Sequence, residues 1–152
     1  RKYDMINLHP ALPGGPTGTW GEVIWRLIEG GAERTGAMMH LVIPELDRGP
    51  AVTYCSFPIR GKAFDTHWAE ISGKSIEEVK REQGEGNPLF KAIRHHGYTR
   101  ELPLIIATIR AFSQGKVRIT GDKKVVDSAG IPINGYDLTA EIDRAVKGIL
   151  TL

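Results

Sequence analysis

The stretch TGAMMHLVIPELDRGPAVTYCSFPI, residues 35–59, contains two apolar segments separated by a short polar loop. The first segment extends from Ala37 to Ile43, and the second extends from Ala51 to Ile59. A continuous apolar run of this length, bounded by turn residues, is typical of a buried strand. Because the loop 44–49 is too short for a crossover helix, we expect the two strands to pair in antiparallel orientation.

Strand and helix patterns alternate on both sides of this stretch, which predicts an α/β fold. Upstream, residues 4–8 have the pattern of a short strand, and Thr19 is placed to cap a helix that ends at Gly30-Gly31. Downstream, the patterns predict three helices: one that begins at Ser75, one that runs from Asn87 towards His95, and a longer one over 99–114. They then predict short strands at 116–119 and 123–126 and a last helix capped by Asp137 or Thr139. The spacing on the longest helix predicts one buried apolar face, formed by Leu102, Ile105, Ile106, Ile109 and Phe112.

The composition is that of a soluble globular protein with one domain. Of its 152 residues, 41% are hydrophobic and 25% are charged, and the net charge is +2. This weak charge argues against nucleic acid as a partner, and no apolar stretch approaches the roughly 20 residues of a membrane span. The single cysteine, Cys55, falls in a predicted strand, which favours a buried structural thiol and agrees with a reducing, cytoplasmic location. The histidines lack the spacing of a metal site, so we expect no metal, and His40 is expected to be a packed structural residue.

Two polar tetrapeptides lie where predicted strands meet loops. They are Asn7-Leu8-His9-Pro10 and Asp47-Arg48-Gly49-Pro50. In open α/β sheets, ligands bind outside the carboxyl ends of the strands. An amide donor, an imidazole and a carboxylate that meet there can stabilise a carbonyl oxygen as it becomes anionic and deliver a proton to a leaving group.

Each of these side chains also has an ordinary structural use. Asn7 is suited to hold the loop backbone, His9 to bond backbone carbonyls and Asp47 to form a turn. Asn7 and His9 are two residues apart, however, so they share one face of the strand. This shared face favours a joint role in one site.

The order and spacing of the two tetrapeptides resemble those of the folate-dependent formyltransferase family, whose members carry an Asn-x-His-Pro segment, a helix, a strand and an Asp-x-Gly-Pro segment. The glycinamide ribonucleotide formyltransferase branch is the most similar over residues 4–60, and the likeness stays colinear to the end. The resemblance implies that residues 1–152 form the C-terminal part of a doubly wound, Rossmann-like formyltransferase domain with a mixed sheet. The family's N-terminal half, which carries a phosphate-binding loop, has no counterpart in this sequence. We therefore expect the chain alone to be inactive and to self-associate, with a homodimer as the simplest product.

The resemblance also implies roles for individual residues. Asn7 and protonated His9 would stabilise the oxyanion, and Asp47 would orient His9, directly or through water. The main chain of the loop Ile43, Pro44, Glu45, Leu46 and Asp47 would bind the pterin of the co-substrate 10-formyltetrahydrofolate. The acceptor would be a small-molecule amine, in this branch that of glycinamide ribonucleotide, and it would contact Leu8, Pro10 and Glu101.

Two departures from the family keep other functions open. The loop 13–18 reads PGGPTG in place of a longer segment, and Glu101 lies closer to Pro103 than in the family. Glu101 is also suited simply to stabilise a helix N-terminus. The acceptor could therefore be a nucleotide sugar, an aminoacyl-tRNA or, in a hydrolase, water. From a different class, the chain is also compatible with a non-catalytic folate-binding or assembly module.

Overall fold

The computed structural model describes residues 3–150. Their strands are β1 (Ile6–His9), β2 (Arg34–Leu41), β3 (Ala51–Pro58), β4 (Val117–Ile119), β5 (Val125–Asp127) and β6 (Tyr136–Asp137). Their α-helices are α1 (Trp20–Glu29), α2 (Asp65–Glu70), α3 (Ile76–Gln83), α4 (Pro88–Ser113) and α5 (Thr139–Leu150). A 3-10 turn at Gly84–Gly86 joins α3 to α4. No helix in this part of the chain is both long and apolar enough to cross a membrane.

Four strands form the central sheet in the order β1-β2-β3-β6. β2 pairs with β1 and with β3 in antiparallel orientation, whereas β6 runs parallel to β3. The predicted antiparallel pairing across the loop 44–49 is therefore confirmed, as are the α/β class and the mixed sheet. β4 and β5 form a separate antiparallel hairpin.

One face of the sheet packs against α4 and α5. Alternate residues of β2, beginning at Ala37, join an apolar cluster that includes Leu104 of α4 and Ile142 of α5. At the same interface, the hydroxyl groups of Thr53 and Thr108 hydrogen-bond across 2.7 Å. This face holds the main core of the protein.

The opposite face of the sheet carries the polar side chains of the first tetrapeptide. Because strand residues alternate, Met38 and His40 lie on this side of β2. The register pairs Asn7 with His40 and His9 with Met38, and directly paired residues share a face. The antiparallel β1–β2 pair thus brings Asn7, His9 and His40 together.

The orientation of α4 differs from the sequence prediction. Leu102, Ile106 and Ile109, which were expected to be buried, are 64%, 49% and 63% exposed. The face that packs on the sheet instead includes two small residues, Ala107 and Ala111, which are buried. The prediction was wrong for these three residues, whereas Ile105 and Phe112 of the predicted face pack against the core. It followed the largest side chains, whereas small side chains let the helix approach the strands closely.

α4 is also one continuous helix of 26 residues, so the predicted break between His95 and Thr99 is absent. The Thr99 hydroxyl and the Arg100 guanidinium both donate to the carbonyl of His96, at 3.1 and 2.7 Å. A side chain at Gly97 would lie 3.8 Å from the ring of Phe57. Contacts with neighbouring residues therefore override the low helix propensity of glycine.

The helix starts were predicted more accurately. Thr19 and Glu22 form a capping box at α1, and the side chains of Ser75 and Asn87 cap α3 and α4. At α5, the backbone N–H of Thr139 donates to Asp137 at 2.9 Å. A short side chain that accepts a backbone hydrogen bond is a local signal, which explains why the sequence reveals it.

Candidate active site

β1 places the two polar groups of the first tetrapeptide at different depths. Asn7 is exposed, whereas His9 is 3% exposed. His9 Nε2 lies 2.9 Å from the carbonyl oxygen of Pro16, to which an Nε2–H group donates. That bond leaves Nδ1, which forms no hydrogen bond with any residue in 3–150, as the ring nitrogen available for a ligand.

The segment 10–18 forms a lid over this part of the sheet. Leu12 packs against Gly36 of β2, where a Cβ atom would lie 2.5 Å from Leu12 Cδ2 and 2.0 Å from the carbonyl oxygen of Cys55. Glycine is therefore required at position 36 for the segment to lie this close. Arg26 of α1 donates to the carbonyl of Thr17 at 2.9 Å, which fixes the other end of the lid.

The loop between β2 and β3 holds Asp47 in an unusual backbone conformation. Its φ angle is 55°, a left-handed value that aspartate tolerates better than most residues. At Gly49, a Cβ atom would lie 1.5 Å from the carbonyl oxygen of Leu41, so only glycine fits there. Leu41 N–H donates to the Pro50 carbonyl at 2.9 Å and closes the loop.

The carboxylate of Asp47 contacts His40. Asp47 Oδ1 lies 3.6 Å from His40 Nε2, which is beyond hydrogen-bond distance but within ion-pair distance of a charged imidazole. His40 is 3% exposed, and this buried Nε2 has no hydrogen-bond partner. Its Nδ1 lies 3.3 Å from the carbonyl oxygen of Leu41. The Asp47 carboxylate is therefore the group that offsets the burial of His40 Nε2.

His40 stands between Asp47 and His9. The rings of His9 and His40 meet edge to face, with centroids 6.3 Å apart. Asp47 forms its ion pair with His40, and among the described residues it has none with His9. Of the predicted catalytic residues, Asn7 and His9 share a strand face and Asp47 joins them through His40. His40 is buried, as the sequence predicted for a packed histidine inside a strand, but its contact with Asp47 was not predicted.

The loop 44–50 separates two clefts. The Ile43 cleft, of about 250 Å³, is lined by Tyr3, Asp4, Met5, Leu41, Val42, Ile43, Pro44 and Lys123. The Arg48 cleft has a volume of about 300 Å³. It is lined by Met38, Asp47, Arg48 and Asn134, and by residues 13–15, 17 and 49–51. Met38 forms part of its floor, so this cleft opens on the sheet face that carries His9.

Of the five residues predicted to bind the pterin, two line the first of these clefts and Asp47 lines the second. Ile43 and Pro44 line it, Glu45 is exposed, and Leu46 is 84% exposed at the tip of the loop. The backbone N–H groups of Ile43, Glu45 and Leu46 donate to no backbone carbonyl of the described chain. Unpaired main-chain groups beside an apolar wall suit a flat heterocycle with a polar edge.

The residues predicted to bind the acceptor are more dispersed. Leu8 packs its side chain into the main core, on the sheet face away from His9, so only its main chain is near the site. Pro10 lines a cavity of about 20 Å³ together with Arg94. Glu101 receives a hydrogen bond from Arg94 at 3.0 Å, and the Arg94 guanidinium lies 4.5 Å from the centre of the Trp20 ring. Glu101 is thus engaged by an arginine and lines neither of the two clefts.

Two neighbouring side chains stay neutral near physiological pH. Burial, and then the nearby Asp137 carboxylate, raise the pKa of Tyr54, which is paired with Met38 on the site face of the sheet. Burial raises the pKa of the Cys55 thiol to about 11, as expected for a structural cysteine. Within residues 3–150, no group of three or more His, Cys, Asp or Glu side chains is arranged to hold a metal ion.

Two solved formyltransferases resemble part of the chain at low sequence identity. The phosphoribosylglycinamide formyltransferase of Anaplasma phagocytophilum is 17% identical, with a TM-score of 0.47 over 87% of this chain and 51% of that one. The corresponding protein of Coxiella burnetii, in complex with CHES, is 19% identical, with a TM-score of 0.48 over 88% of this chain and 50% of that one. This chain therefore spans about half the length of these formyltransferases.

A third solved structure is HypX from Aquifex aeolicus in complex with tetrahydrofolic acid. It is 16% identical, with a TM-score of 0.41 over 90% of this chain and 17% of that one. No protein-family model matches the chain. The comparison with curated proteins found no match either.

Proposed function

We propose that this chain transfers a formyl group from 10-formyltetrahydrofolate to a primary amine. The observation that carries the proposal is the position of Asp47, in a loop that separates two clefts and beside a strand face bearing Asn7, His9 and His40. A two-substrate transferase needs two binding sites that meet at its acid–base groups. The Asp-x-Gly-Pro segment lines the Arg48 cleft, and the Asn-x-His-Pro segment lies on the neighbouring strand β1 and the residue after it.

The Ile43 cleft is the proposed site of the folate. Its wall is largely apolar, and the N–H groups of Ile43, Glu45 and Leu46 lack backbone partners that a pterin edge would supply. The exposed side chain of Leu46 would cover the bound ring. The chemistry that the folate brings is a formyl group on a nitrogen that can depart.

Each residue of the site then has its own role in acyl transfer. The amine nitrogen attacks the formyl carbon, and the carbonyl electron pair moves to oxygen, where the Asn7 amide and protonated His9 stabilise the charge. Asp47 accepts the proton that the attacking nitrogen loses and passes it through water to the leaving nitrogen as the C–N bond breaks. The products are a formylated amine and tetrahydrofolate. His40 is a positioning residue, because it holds the Asp47 carboxylate from a buried location.

The test is an assay of the full encoded protein with 10-formyltetrahydrofolate and a panel of amines, beginning with glycinamide ribonucleotide, the acceptor that the family resemblance implies. Mass spectrometry of the formylated amine and absorbance of tetrahydrofolate are read together. We expect both products in equal amounts. Folate binding without product would establish a non-catalytic module, and tetrahydrofolate released with free formate would establish a hydrolase.

A further inference from the structure

The Arg48 cleft has a charge pattern that the proposed chemistry does not by itself require. Of the residues that line it, Asp47 carries a negative charge and Arg48 a positive charge, and the remainder are neutral. The Arg48 side chain forms no ion pair or side-chain hydrogen bond with any residue between Tyr3 and Leu150. An arginine left unpaired beside an open cleft is available to bind an anion.

The two charges come from adjacent residues of one loop. Asp47 and Arg48 are held by the left-handed backbone at Asp47 and by the tight packing of Gly49 on Leu41. Neighbouring residues of such a turn project in different directions but stay within a few ångströms of each other along the chain. Because both residues line the Arg48 cleft, one small molecule bound there can contact both of them.

Resting on the proposed function, we infer that the Arg48 cleft binds the acceptor and that the acceptor is an amine carrying a single carboxylate. Asp47 receives the amine end, where the proton is lost, and Arg48 pairs with the carboxylate through its planar fork of donors. The cleft has no net charge, so it matches an ammonium–carboxylate pair and leaves the second charge of a phosphate monoester without a partner.

The size and neutral groups of the cleft agree with this class of ligand. Its volume of about 300 Å³ is at the lower end of small-molecule sites, which suits a compact amine of amino-acid type. Asn134 offers an amide donor and acceptor from the segment before β6, and Thr17 offers a hydroxyl from the lid. This acceptor differs from glycinamide ribonucleotide, which carries a phosphate.

The experiment compares matched acceptors in wild type and in Arg48→Gln, with Arg48→Lys as the conservative variant. Arg81→Gln, an exposed arginine on α3, is the control for loss of one positive charge. The acceptors are glycine, glycinamide and aminomethylphosphonate, which present a carboxylate, a neutral amide and a phosphonate at the same distance from the amine.

We expect wild type to prefer glycine, and Arg48→Gln to raise KM for glycine by about tenfold with little change in kcat or in the values for glycinamide. Arg48→Lys should recover part of the loss, and Arg81→Gln should behave as wild type. Equal use of glycine and glycinamide, preference for aminomethylphosphonate, or weaker folate binding in Arg48→Gln would each overturn the inference.

Binding measurements separate this inference from the proposed function. Isotope-labelled glycine is titrated into each protein in the presence of tetrahydrofolate and followed by NMR, which requires no turnover. Glycine binding that depends on Arg48 in a protein without formyl transfer would leave the subsite standing and refute the function. Formyl transfer that does not depend on Arg48 would support the proposed function and refute the carboxylate subsite.

Discussion

Asp47 Oδ1 lies 3.6 Å from Nε2 of His40, a buried histidine whose ring edge faces His9. The carboxylate of the second tetrapeptide therefore reaches the histidine of the first through an intermediate ring on the neighbouring strand. The antiparallel register that pairs Asn7 with His40 makes this arrangement possible.

We expect His9→Ala and Asp47→Asn each to lower kcat for formyl transfer by about 100-fold or more. These groups act on charge that appears in the transition state, so the affinity for a folate analogue should change little. Steady-state kinetics and equilibrium titration of the analogue measure the two quantities. His95→Ala, at an exposed position on α4, is the control. Turnover near the wild-type value in either variant would refute the assigned roles.

If His40 acts through Asp47, removal of both should cost no more than removal of Asp47 alone. We expect His40→Gln to lower kcat by about tenfold, and the double variant His40→Gln, Asp47→Asn to match Asp47→Asn, because residues that act as a unit are not additive. A double-mutant cycle on kcat with unchanged thermal stability provides the measurement. Fully additive losses would show that His40 contributes only to packing.

Gly49→Ala should damage both the fold and the site. Its Cβ atom would lie 1.5 Å from the Leu41 carbonyl oxygen, so the loop carrying Asp47 must move. We expect a loss of unfolding free energy of about 2 kcal/mol or more, by chemical denaturation, together with reduced turnover. Gly121→Ala is the matched control, since a Cβ atom there meets nothing within 4 Å. Equal stability of the two variants would contradict the close packing at Gly49.

His96 should make the protein sensitive to mild acid. Burial first, and then the charges of Arg100 and His95, lower its pKa from 6.5 to about 4. Between these values the unfolded chain binds a proton that the folded chain does not, so stability is lost as the pH falls from about 6.5 towards 4. His96→Phe keeps a ring against Phe64 and removes the titrating group, so melting temperature should fall less between pH 7 and pH 5 in the variant. His67→Gln, on α2, is the control; an equal fall in His96→Phe and wild type would count against this account.

The thiol of Cys55 should be almost unreactive in the folded protein. Its pKa of about 11, raised by burial, keeps the thiolate fraction very small at pH 8. We expect labelling by a thiol reagent to be slower in the native state than in denaturant by a factor of about 100 or more. Colorimetric rates with and without denaturant measure this ratio. Rapid labelling of the native protein would show that β3 opens readily.

The parts of the fold that the sequence predicted are those with local causes. The apolar runs of β2 and β3, the short loop between them and the caps at Thr19 and Ser75 each depend on a few neighbouring residues. The length of α4 and the exposure of Leu102 depend on what the helix packs against, which spacing alone does not contain. The large apolar side chains of α4 were expected to be buried, but the face of α4 that packs on the sheet includes small side chains.

The candidate site also has parts that local sequence predicted and parts that depend on distant segments. Asn7 and His9 were expected on one face because the side chains of a strand alternate between its two faces. The register of β1 with β2 agrees, since Asn7 pairs with His40 and His9 pairs with Met38. The pairing of Asp47 with His40, rather than with His9, depends on strand register and on the conformation of the loop. The two clefts beside that loop are formed by segments far apart in the chain, so no local sequence pattern predicts them.

The continuity of α4 has a consequence for how the protein unfolds. Its first half, with Phe90 and Ile93, belongs to an apolar cluster with α1, and its second half, with Leu104, belongs to the cluster beneath the sheet. A single helix that belongs to both cannot lose one cluster without straining the other. The two halves of the molecule are therefore coupled mechanically, and heating should melt them in one transition that every spectroscopic probe reports at the same temperature.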